Sequence, residues 1–256
     1  MTDITRCKRA EAEQQRVSAE LRQKNDELER FHYTASHDLR SPAVTFTSFL
    51  GFLERDLASG DAVRIRSDLK HLRAAAEKMV ARLDDLLHYS RLGRAEAPPD
   101  RFTLHELAAE VVETLAGPIA ERGVWVQIVG PDFPLSGDRF RLSEILQNLV
   151  ENAIKFMGHQ SEPRVEMGAE PEGAETMFYV RDNGIGIDAR FTGRIFDVFE
   201  KLDAASVGTG IGLAIVKRIV ESNGGCIRVD SLGPGHGACF RFTLPGALVR
   251  GEVYAA

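Results

Sequence analysis

Residues 208–221 read GTGIGLAIVKRIVE, and they constrain the fold more than any other stretch of the chain. Three alternate glycines precede an apolar run that predicts a helix from about residue 210 to residue 222. The free N–H groups of a helix N-terminus, together with Thr209, can cradle a phosphate. The glycine spacing is similar to a dinucleotide fingerprint, but no strand directly precedes it and no second parallel strand with a distal acidic residue follows. The segment therefore predicts a phosphate site of another kind.

A second glycine-containing segment, DNGIGI at residues 182–187, follows a predicted strand over residues 176–181. Asp182 ends that strand with a carboxylate that can only accept hydrogen bonds when ionised, which suits an exocyclic amine such as that of adenine. Gly184 and Gly186 allow the backbone to approach a flat ligand closely. Turns commonly contain this glycine spacing, so the segment alone is a weak signal.

Residues 146–157, LQNLVENAIKFM, predict a helix with a polar face near its end. Asn148 and Asn152 lie four residues apart and so share that face. Asn152 offers a neutral oxygen to a hard cation such as Mg²⁺, and Lys155 offers a point charge to a phosphate. For this segment alone, a solvated helix face is the simpler interpretation.

Two phenylalanines, Phe196 and Phe199, stand in the sequence IFDVFEKL at residues 195–202. They precede a short polar stretch, 203–207, that leads to the glycines at 208 and 210. We expect this pair to anchor a mobile lid over a nucleotide. Packing of both rings in the core is an equally favoured alternative.

The N-terminal half contains FHYTASHDLRSP at residues 31–42. His37 lies off the centre of the apolar stripe, where solvent can reach the imidazole, and Asp38 follows it directly. A neighbouring carboxylate raises the basicity of an imidazole and holds one tautomer, as a nucleophilic histidine requires. Arg40 could steady an incoming phosphate. A surface histidine on a bundle helix is the simpler interpretation of the pair alone.

The same half predicts a helical hairpin. A modest heptad pattern before it favours a parallel coiled coil over a solvated single helix, and Pro42 is expected to kink the first hairpin helix. A break at residues 59–61 separates this helix from a second one. Two helices cannot close a core, so we expect two chains to pair in a four-helix bundle. The second helix carries the stronger apolar stripe: Ile65, Leu69, Leu72, Ala76, Met79, Leu83 and Leu86.

Beyond a linker at residues 95–101, AEAPPDR, the pattern changes to mixed helices and strands. Helices are predicted at 104–121, 139–157 and 210–222. Strands are predicted at 124–129, 164–167, 176–181, 226–230 and 238–244. The strands at 164–167 and 176–181 are expected to form a hairpin around residues 171–173. Because helices and antiparallel strands occur in blocks, an α+β sandwich is favoured over a parallel sheet.

The amino-acid composition argues against several classes of protein. The 256 residues are 43% hydrophobic, too many for a disordered chain. With 32 basic and 38 acidic residues the net charge is −6, which gives no electrostatic reason to expect a nucleic-acid partner. No apolar run approaches the roughly 20 residues of a membrane span, and the first residues are no signal peptide. Cys7, Cys226 and Cys239 form no metal spacing and no disulfide framework, so a cytoplasmic location is expected.

In their fixed order, these segments resemble the motifs of bacterial sensor histidine kinases. The H box is matched at 31–42, the N box at 146–156, the G1 box at 182–187, the F box at 195–202 and the G2 box at 208–221. The H box, FEKL and the G2 box are most similar to the phytochrome-like branch. The resemblance implies an α + α/β architecture: a dimeric four-helix bundle, with one helical hairpin per chain, followed by a Bergerat-type ATP-binding domain.

The resemblance also divides the chain. Residues 3–13, DITRCKRAEAE, resemble the end of a PAS sensor domain, which implies an upstream sensor. The expected divisions are a linker helix at 1–19, the dimerisation and phosphotransfer domain at 20–94, the linker at 95–101, the ATP-binding domain at 102–246 and a tail at 247–256.

At matching positions the resemblance implies roles. His37 would accept the γ-phosphoryl group of ATP with Asp38 as acid or base, and a separate response regulator would then receive it on an aspartate. Asn152 would hold Mg²⁺, Asp182 would bind the adenine amine, and Asn148 and Lys155 would support the triphosphate. The rest of the ATP site and lid would comprise Gly184, Gly186, Phe199, Gly208, Thr209, Gly210, Gly212 and Leu213. Ser41 stands where kinases with strong phosphatase activity carry Thr or Asn, and the lid is short.

Two rival functions remain. A gyrase-type ATP hydrolase carries a glutamate four residues before the Mg²⁺-binding asparagine to activate water, but this chain has Asn148 there. A catalytically inactive, kinase-like scaffold that binds a response regulator is the alternative to the kinase.

Overall fold

The computed structural model describes Gln14, Ser18, Arg22 and residues 39–92, 98–172, 175–200 and 210–248. The chain divides into two compact units, Met1–Leu86 and Leu87–Ala256. Several residues with predicted roles lie outside the described part, namely His37, Asp38, Gly208 and Thr209. The proposed coiled coil and most of the F box to G2 box connection lie outside it too.

The first unit contains a helical hairpin, as predicted. Helix α1 is described over residues 39–59, and helix α2 is Ala62–Arg91, whose last residues count with the second unit. The break falls at the predicted place, because Gly60 adopts the left-handed region at φ 74°. Asp61 then caps α2, since its Oδ1 accepts hydrogen bonds from the N–H groups of Val63 and Arg64, both at 3.1 Å.

Aromatic and aliphatic contacts join the two hairpin helices. The ring of Phe49 in α1 stacks on His71 in α2 with centroids 4.4 Å apart. Leu72 and Ala75 are buried on α2, and Pro42 is buried on α1. Each helix nevertheless retains exposed apolar side chains beside this buried strip, so the hairpin has an apolar surface that the described residues leave uncovered.

The described part of the second unit contains two sheets and four further helices. The helices are α3 (Leu104–Thr114), α4 (Ala116–Arg122), α5 (Arg139–Lys155) and α6 (Gly212–Ser222). The strands are β1 (Asp100–Thr103), β2 (Trp125–Val129), β3 (Pro134–Gly137), β4 (Arg164–Glu172), β5 (Glu175–Asp182), β6 (Ile227–Asp230) and β7 (Ala238–Thr243).

The main sheet has five strands in the order β2-β4-β5-β7-β6. Only the β2–β4 pair is parallel, and the other three pairs are antiparallel. The register pairs Phe178 of β5 with Phe242 of β7, and their rings stack with centroids 5.6 Å apart. Helices α3, α5 and α6 pack together and touch the sheet, and Ile145 and Leu149 of α5 are fully buried. The predicted two-layer α+β architecture is thus confirmed.

Successive side chains of β5 point to opposite faces of the sheet, although the four residues Met177–Val180 are all buried. Phe178 and Val180 pack in the core, whereas Arg181 lies on the other face. There the Arg181 guanidinium lies 3.2 Å from a carboxylate oxygen of Glu166. One face of the sheet is therefore apolar and covered by helices, while the other carries charged side chains.

The structure corrects several predicted boundaries. The helix predicted over 104–121 is interrupted at Leu115, because Pro118 has no N–H to continue the hydrogen-bond ladder and α4 restarts just before it. The two short strands β1 and β3 were not predicted. They pair antiparallel in a separate two-stranded sheet, and β1 begins at Asp100, inside the predicted linker.

The predicted tail also begins too early. Ala247 is 1% exposed, and its carbonyl accepts a hydrogen bond of 2.7 Å from the N–H of Ser136. Leu248 forms an isolated bridge with Leu135. These residues therefore belong to the packed domain. Across the described residues, no helix combines the length and the apolar character needed to cross a membrane.

Candidate functional site

A cavity of about 240 Å³ opens between α5, the loop after β5 and the start of α6. It is lined by eight of the residues that the sequence predicts at an ATP site: Asn148, Asn152, Lys155, Asp182, Gly186, Gly210, Gly212 and Leu213. These residues come from three separate motifs, so the fold brings the motifs together in one place. Ser41 lies elsewhere, exposed on α1 of the first unit, where its carbonyl accepts a hydrogen bond from Thr45.

Helix α5 positions two of the lining asparagines. Asp138 caps it by accepting from the N–H of Arg141 at 3.2 Å, and an apolar face buries the helix against the core. Asn148 and Asn152 therefore remain on the partly exposed face that borders the cavity. The Asn148 amide group donates to the carbonyl of Glu144 at 2.9 Å, which fixes its orientation.

Glu144 in turn is anchored outside its own helix. Its Oε1 lies 2.6 Å from Nε2 of His88, at the end of α2 within the second unit. Burial raises the pKa of the Glu144 carboxyl, and the neighbouring His88 lowers it in opposition. Glu144 therefore holds two partners: its carboxylate pairs with His88, and its backbone carbonyl accepts from the Asn148 amide.

Helix α6 approaches α5 closely at Gly212. A Cβ atom at Gly212 would lie 2.5 Å from Oδ1 of Asn148, well inside van der Waals contact. Any other residue would therefore displace the asparagine side chain or separate the helices. The glycine that the sequence suggested for binding phosphate is also required for packing against Asn148.

Asp182, at the end of β5, is largely buried at the cavity wall. Its Oδ1 accepts hydrogen bonds from the N–H of Gly184 at 2.8 Å and of Ala238 at 3.3 Å. Burial raises the pKa of the Asp182 carboxyl, and these two donors lower it in part. Within the described residues both hydrogen bonds of this carboxylate end on Oδ1, so Oδ2 is available to a ligand that donates.

Gly184 and Gly186 have a further reason for being glycine, besides the predicted approach of a ligand. A Cβ at Gly184 would lie 2.5 Å from the carbonyl oxygen of Phe156, and Gly186 adopts φ 71° with the carbonyl of Gly233 against it. The close approach that excludes side chains here is to the protein's own backbone. Gly186 also lines the cavity. Gly184 does not line it, but its N–H donates to Oδ1 of Asp182, which does.

The two phenylalanines of the F box differ. Phe196 is buried and meets Phe240 of β7 edge to face with centroids 6.2 Å apart, which is the core packing foreseen as the alternative. Phe199 has a left-handed backbone at φ 66°, and its N–H donates to the carbonyl of Gly210 at 2.8 Å. Phe199 is not among the described residues that line the cavity. Its predicted role at a lid stays a prediction.

Sequence reasoning missed part of the cavity wall. Glu151, next to Asn152, and Glu200, whose carboxylate lies 2.9 Å from the guanidinium of Arg194, both line it. Ala238 and Phe240 contribute from β7. The two glutamates lay inside the quoted motifs and could have been noticed, whereas the β7 residues become neighbours only through pairing with β5.

The donor set fits a magnesium ion that arrives with phosphates. The described residues contain no group of three or more His, Cys, Asp and Glu side chains that could hold a metal ion by themselves. Asn152, whose side chain carries a carboxamide oxygen, instead lines the cavity together with Lys155 of the same helix. Mg²⁺ commonly takes few protein ligands and completes its shell with phosphate oxygens and water.

Comparison with known proteins supports this description of the site. The profile of the family described as Histidine kinase-, DNA gyrase B-, and HSP90-like ATPase matches residues 137–248, the segment that contains the cavity. Methanogenesis regulatory histidine kinase FilI of Methanothrix harundinacea is 44% identical over 237 residues, covering 93% of this chain and 27% of FilI. Cyanobacterial phytochrome B of Nostoc sp. is 36% identical over 232 residues, covering 89% of this chain and 31% of the phytochrome.

Two solved structures share the fold. Full-length ShkA in complex with AMPPNP is 27% identical with a TM-score of 0.58, covering 82% of this chain and 46% of ShkA. Histidine kinase ThkA in complex with response regulator protein TrrA has a TM-score of 0.68 at 20% identity, a likeness of fold alone, over 88% of this chain and 64% of that one. With the FilI and phytochrome matches, these findings place residues 137–248 in this ATPase family and support a sensor histidine kinase transmitter module. The chain spans less than a third of the length of both relatives.

The Gly212–Asn148 contact generates a prediction. Gly212→Ala should weaken ATP binding about tenfold, because the added methyl group pushes the Asn148 side chain out of position. Alanine favours a helix, so the melting temperature should fall little. Gly193→Ala is the matched control, since a Cβ there meets nothing within 4 Å. Isothermal titration calorimetry with ATP compares the two variants, and equal affinities would contradict the assignment.

Because Asp182 is largely buried, replacing its carboxylate by an amide is expected to stabilise the fold and to weaken ATP binding. A pKa raised above its ordinary 3.8 means that the folded chain binds the proton more tightly than the unfolded chain, so ionisation destabilises the fold. Asp182→Asn should therefore increase the free energy of unfolding at neutral pH and weaken ATP binding at least about tenfold. The stability gain should shrink as the pH falls toward the raised pKa.

The control for this prediction is Asp188→Asn. Arg190 lowers the pKa of the exposed Asp188 carboxyl to about 2, so this substitution should leave stability unchanged or slightly lower at neutral pH. Urea unfolding of both variants, followed from neutral pH into the acidic range, separates the two signs. A loss of stability in Asp182→Asn would count against buried charge at this position.

Proposed function

We propose that the chain is an ATP-dependent protein-histidine kinase: His37 accepts the γ-phosphoryl group of ATP and passes it to an aspartate of a separate response regulator. The observation that supports this most is the convergence of Asn152, Asp182 and Gly212 on one cavity inside a histidine-kinase-type ATPase segment. The proposal keeps the two predicted domains, the phosphotransfer domain at 20–94 and the ATP-binding domain predicted at 102–246, which the structure extends to Asp100 at its start and to Leu248 at its end.

ATP would lie with its base at Asp182 and its phosphates toward α5 and α6. The Oδ2 atom of Asp182 would accept from the adenine amine, while Oδ1 stays held by the two backbone N–H groups. Lys155 would contribute positive charge to the phosphates and Asn148 would support them. Gly208, Thr209, Gly210 and Leu213 would shape the phosphate end of the site. The AMPPNP bound to ShkA supports a nucleotide as the ligand of this fold.

Asn152 would hold Mg²⁺ through its carboxamide oxygen. When bound with ATP, the ion would neutralise charge on the phosphate oxygens and so favour transfer of the phosphoryl group. The same helix face carries Glu151, whose carboxylate accepts from Gln147 at 2.9 Å.

In the transfer itself, an imidazole nitrogen of His37 forms a bond to the γ-phosphorus in line with the departing ADP. The bond from the γ-phosphorus to the β,γ-bridging oxygen breaks, and that oxygen leaves with ADP. Asp38 holds the imidazole in the reactive tautomer and takes up its proton. An aspartate carboxylate of the response regulator then attacks the phosphohistidine and regenerates the imidazole.

The proposed receiver of the phosphoryl group is a response regulator because the fold is shared with ThkA, which was solved bound to the response regulator TrrA. Ser41, four residues after His37 in the sequence and exposed on α1, would orient a water molecule in a dephosphorylating reaction. The input would come from an upstream PAS-like sensor.

Direct hydrolysis of ATP is disfavoured by Asn148. Its amide already donates to the Glu144 carbonyl, and a carboxamide cannot serve as a general base for water. Phosphoryl transfer to His37 is therefore the better use of the bound nucleotide.

We further propose that two chains pair through their hairpins into a four-helix bundle. On an ideal helix, Leu69, Val80 and Leu83 of α2 fall within an arc of about 60°, and all three are exposed. Phe46, Leu50 and Leu57 form a similar exposed stripe on α1. These stripes flank the buried contact between the helices, and a second copy would cover them as in other four-helix bundles.

Labelling with Mg·ATP carrying phosphorus label at the γ position tests the kinase. Wild type should acquire acid-labile, alkali-stable label. His37→Gln should acquire none, because the nucleophile is gone, and Asn152→Ala should lose at least about 99% of it. His159→Gln, at an exposed histidine of the ATPase unit, is the control and should label normally.

Outcomes of the labelling separate the alternatives. A wild type that binds ATP without labelling would contradict a kinase that acts without its sensor. A wild type that neither binds ATP nor labels would contradict the kinase altogether and favour the scaffold.

Disruption of the apolar stripe tests the pairing of chains. Leu69→Glu, at a residue 52% exposed, should convert the dimer to monomer, because a buried unpaired carboxylate opposes association. Val63→Glu is the control: it is 81% exposed and lies about 100° or more around the helix from the stripe. Sedimentation velocity should find the control dimeric. Monomeric wild type, or a dimeric Leu69→Glu, would refute the bundle.

A further inference from the structure

A second loop, which the motif analysis did not use, supports the base end of the cavity. It spans residues 231–237, between β6 and β7, and lies against residues 184–187. Gly235 donates its N–H to the carbonyl of Ile185 at 2.6 Å, and Gly237 donates to that of Gly184 at 3.1 Å. The loop that follows Asp182 is therefore held from behind by backbone groups about 50 residues further along the chain.

One side chain ties these two loops together. The Ser231 hydroxyl donates to the carbonyl of Gly237 at 2.7 Å and accepts from the N–H of Ile187 at 3.0 Å. The N–H of Gly233 adds a longer contact at 3.3 Å. The hydroxyl thus uses both its donor and its acceptor capacity on backbone groups. Ser231 is not among the described residues that line the cavity, so it would act through its neighbours.

Those neighbours lead directly to Asp182. Ala238, whose N–H holds Oδ1 of Asp182, follows Gly237 in the chain. Gly184, whose N–H holds the same oxygen, lies three residues before Ile187. Ser231 therefore fixes one residue near each of the two donors that orient the carboxylate. A backbone group left without its partner in this partly buried position would shift toward water.

We propose that Ser231 is a positioning residue for base recognition: its hydroxyl holds the two loops whose N–H groups aim the Asp182 carboxylate at the amine of adenine. This inference rests on the proposed function, because it assigns a selectivity role at the same site. Phosphoryl transfer itself depends on residues that Ser231 does not touch.

The test compares Ser231→Ala with Ser231→Thr, which keeps a hydroxyl, and with Leu232→Ala as control. Leu232 is the next residue in the same loop, and it is 89% exposed. Calorimetric titration of the full chain with ATP and with GTP gives the selectivity of each variant. Ser231→Ala should lose about tenfold of the ATP over GTP preference, while the threonine variant and the control should stay within about threefold of wild type.

Two further readouts distinguish positioning from loss of fold. In labelling assays Ser231→Ala should raise the KM for ATP about tenfold and change kcat less than about twofold, because the transfer step is untouched. In the nucleotide-free protein, hydrogen exchange should quicken at the amides of residues 184–187 and 237–238 and stay unchanged in α5.

Specific outcomes would overturn the inference. An unchanged ATP over GTP preference in Ser231→Ala would do so, whatever its melting temperature, and so would a threonine variant as impaired as the alanine one. Wild type without a preference for ATP would remove the base recognition that Ser231 is said to serve. Wild type that prefers ATP but does not label on His37 would contradict only the kinase, and the Ser231 result would still decide this inference.

Discussion

Helices α5 and α6 meet at Gly212 and Asn148 with no room for a methyl group, and the cavity depends on that closeness. Interiors are packed at close to crystalline density, so two helices this near fix each other's side chains. Asn148 is held from one side by the Glu144 carbonyl and from the other by the glycine backbone. The asparagine face therefore faces the cavity in one orientation before any ligand arrives, which reduces the ordering that binding would require.

Asp182 shows a conflict between stability and function in one side chain. A partly dehydrated carboxylate raises the free energy of the folded state, and two backbone donors offset this only in part. An amide in its place would satisfy the same N–H groups without the charge. The carboxylate is retained in the proposed function because Oδ1 already accepts from the two backbone groups, and the second atom must also accept from the amine, which an amide nitrogen cannot do. Active sites commonly retain such locally unfavourable groups.

The sequence was most informative where local pattern and chemistry coincide. The apolar period of residues 139–157 predicted α5, and the motif segments predicted which side chains would share a cavity. Leu115 was missed as a break because the apolar pattern continues through it, and only the missing N–H of Pro118 argues otherwise. Strands β1 and β3 are four residues each, too short to show alternation, and their pairing with each other is not visible in the local sequence.

The residues of the cavity wall also include some that the local sequence could not predict. Phe240 and Ala238 could not be placed from their own surroundings, because their neighbours are set by the register of β7 on β5. Gly184 and Gly186 were recognised as necessary, and the structure adds a reason that the sequence did not indicate: a side chain on either residue would meet the backbone of Phe156 or Gly233. His37 and Asp38 lie outside the described residues. Their roles rest on the motif resemblance, and the labelling experiment tests them.

The contact of Gly186 with the carbonyl of Gly233, and of Gly237 with the backbone of Asp182 and Asn183, has an evolutionary consequence. A side chain gained on either loop collides with the main chain of the other, and no rotamer change can relieve a collision with backbone. The two loops, distant in sequence, can therefore change during descent only as a matched pair. Among natural variants of this domain, the lengths and glycine positions of the two loops should therefore vary together. Replacing one loop without the other should produce clashes between their backbones.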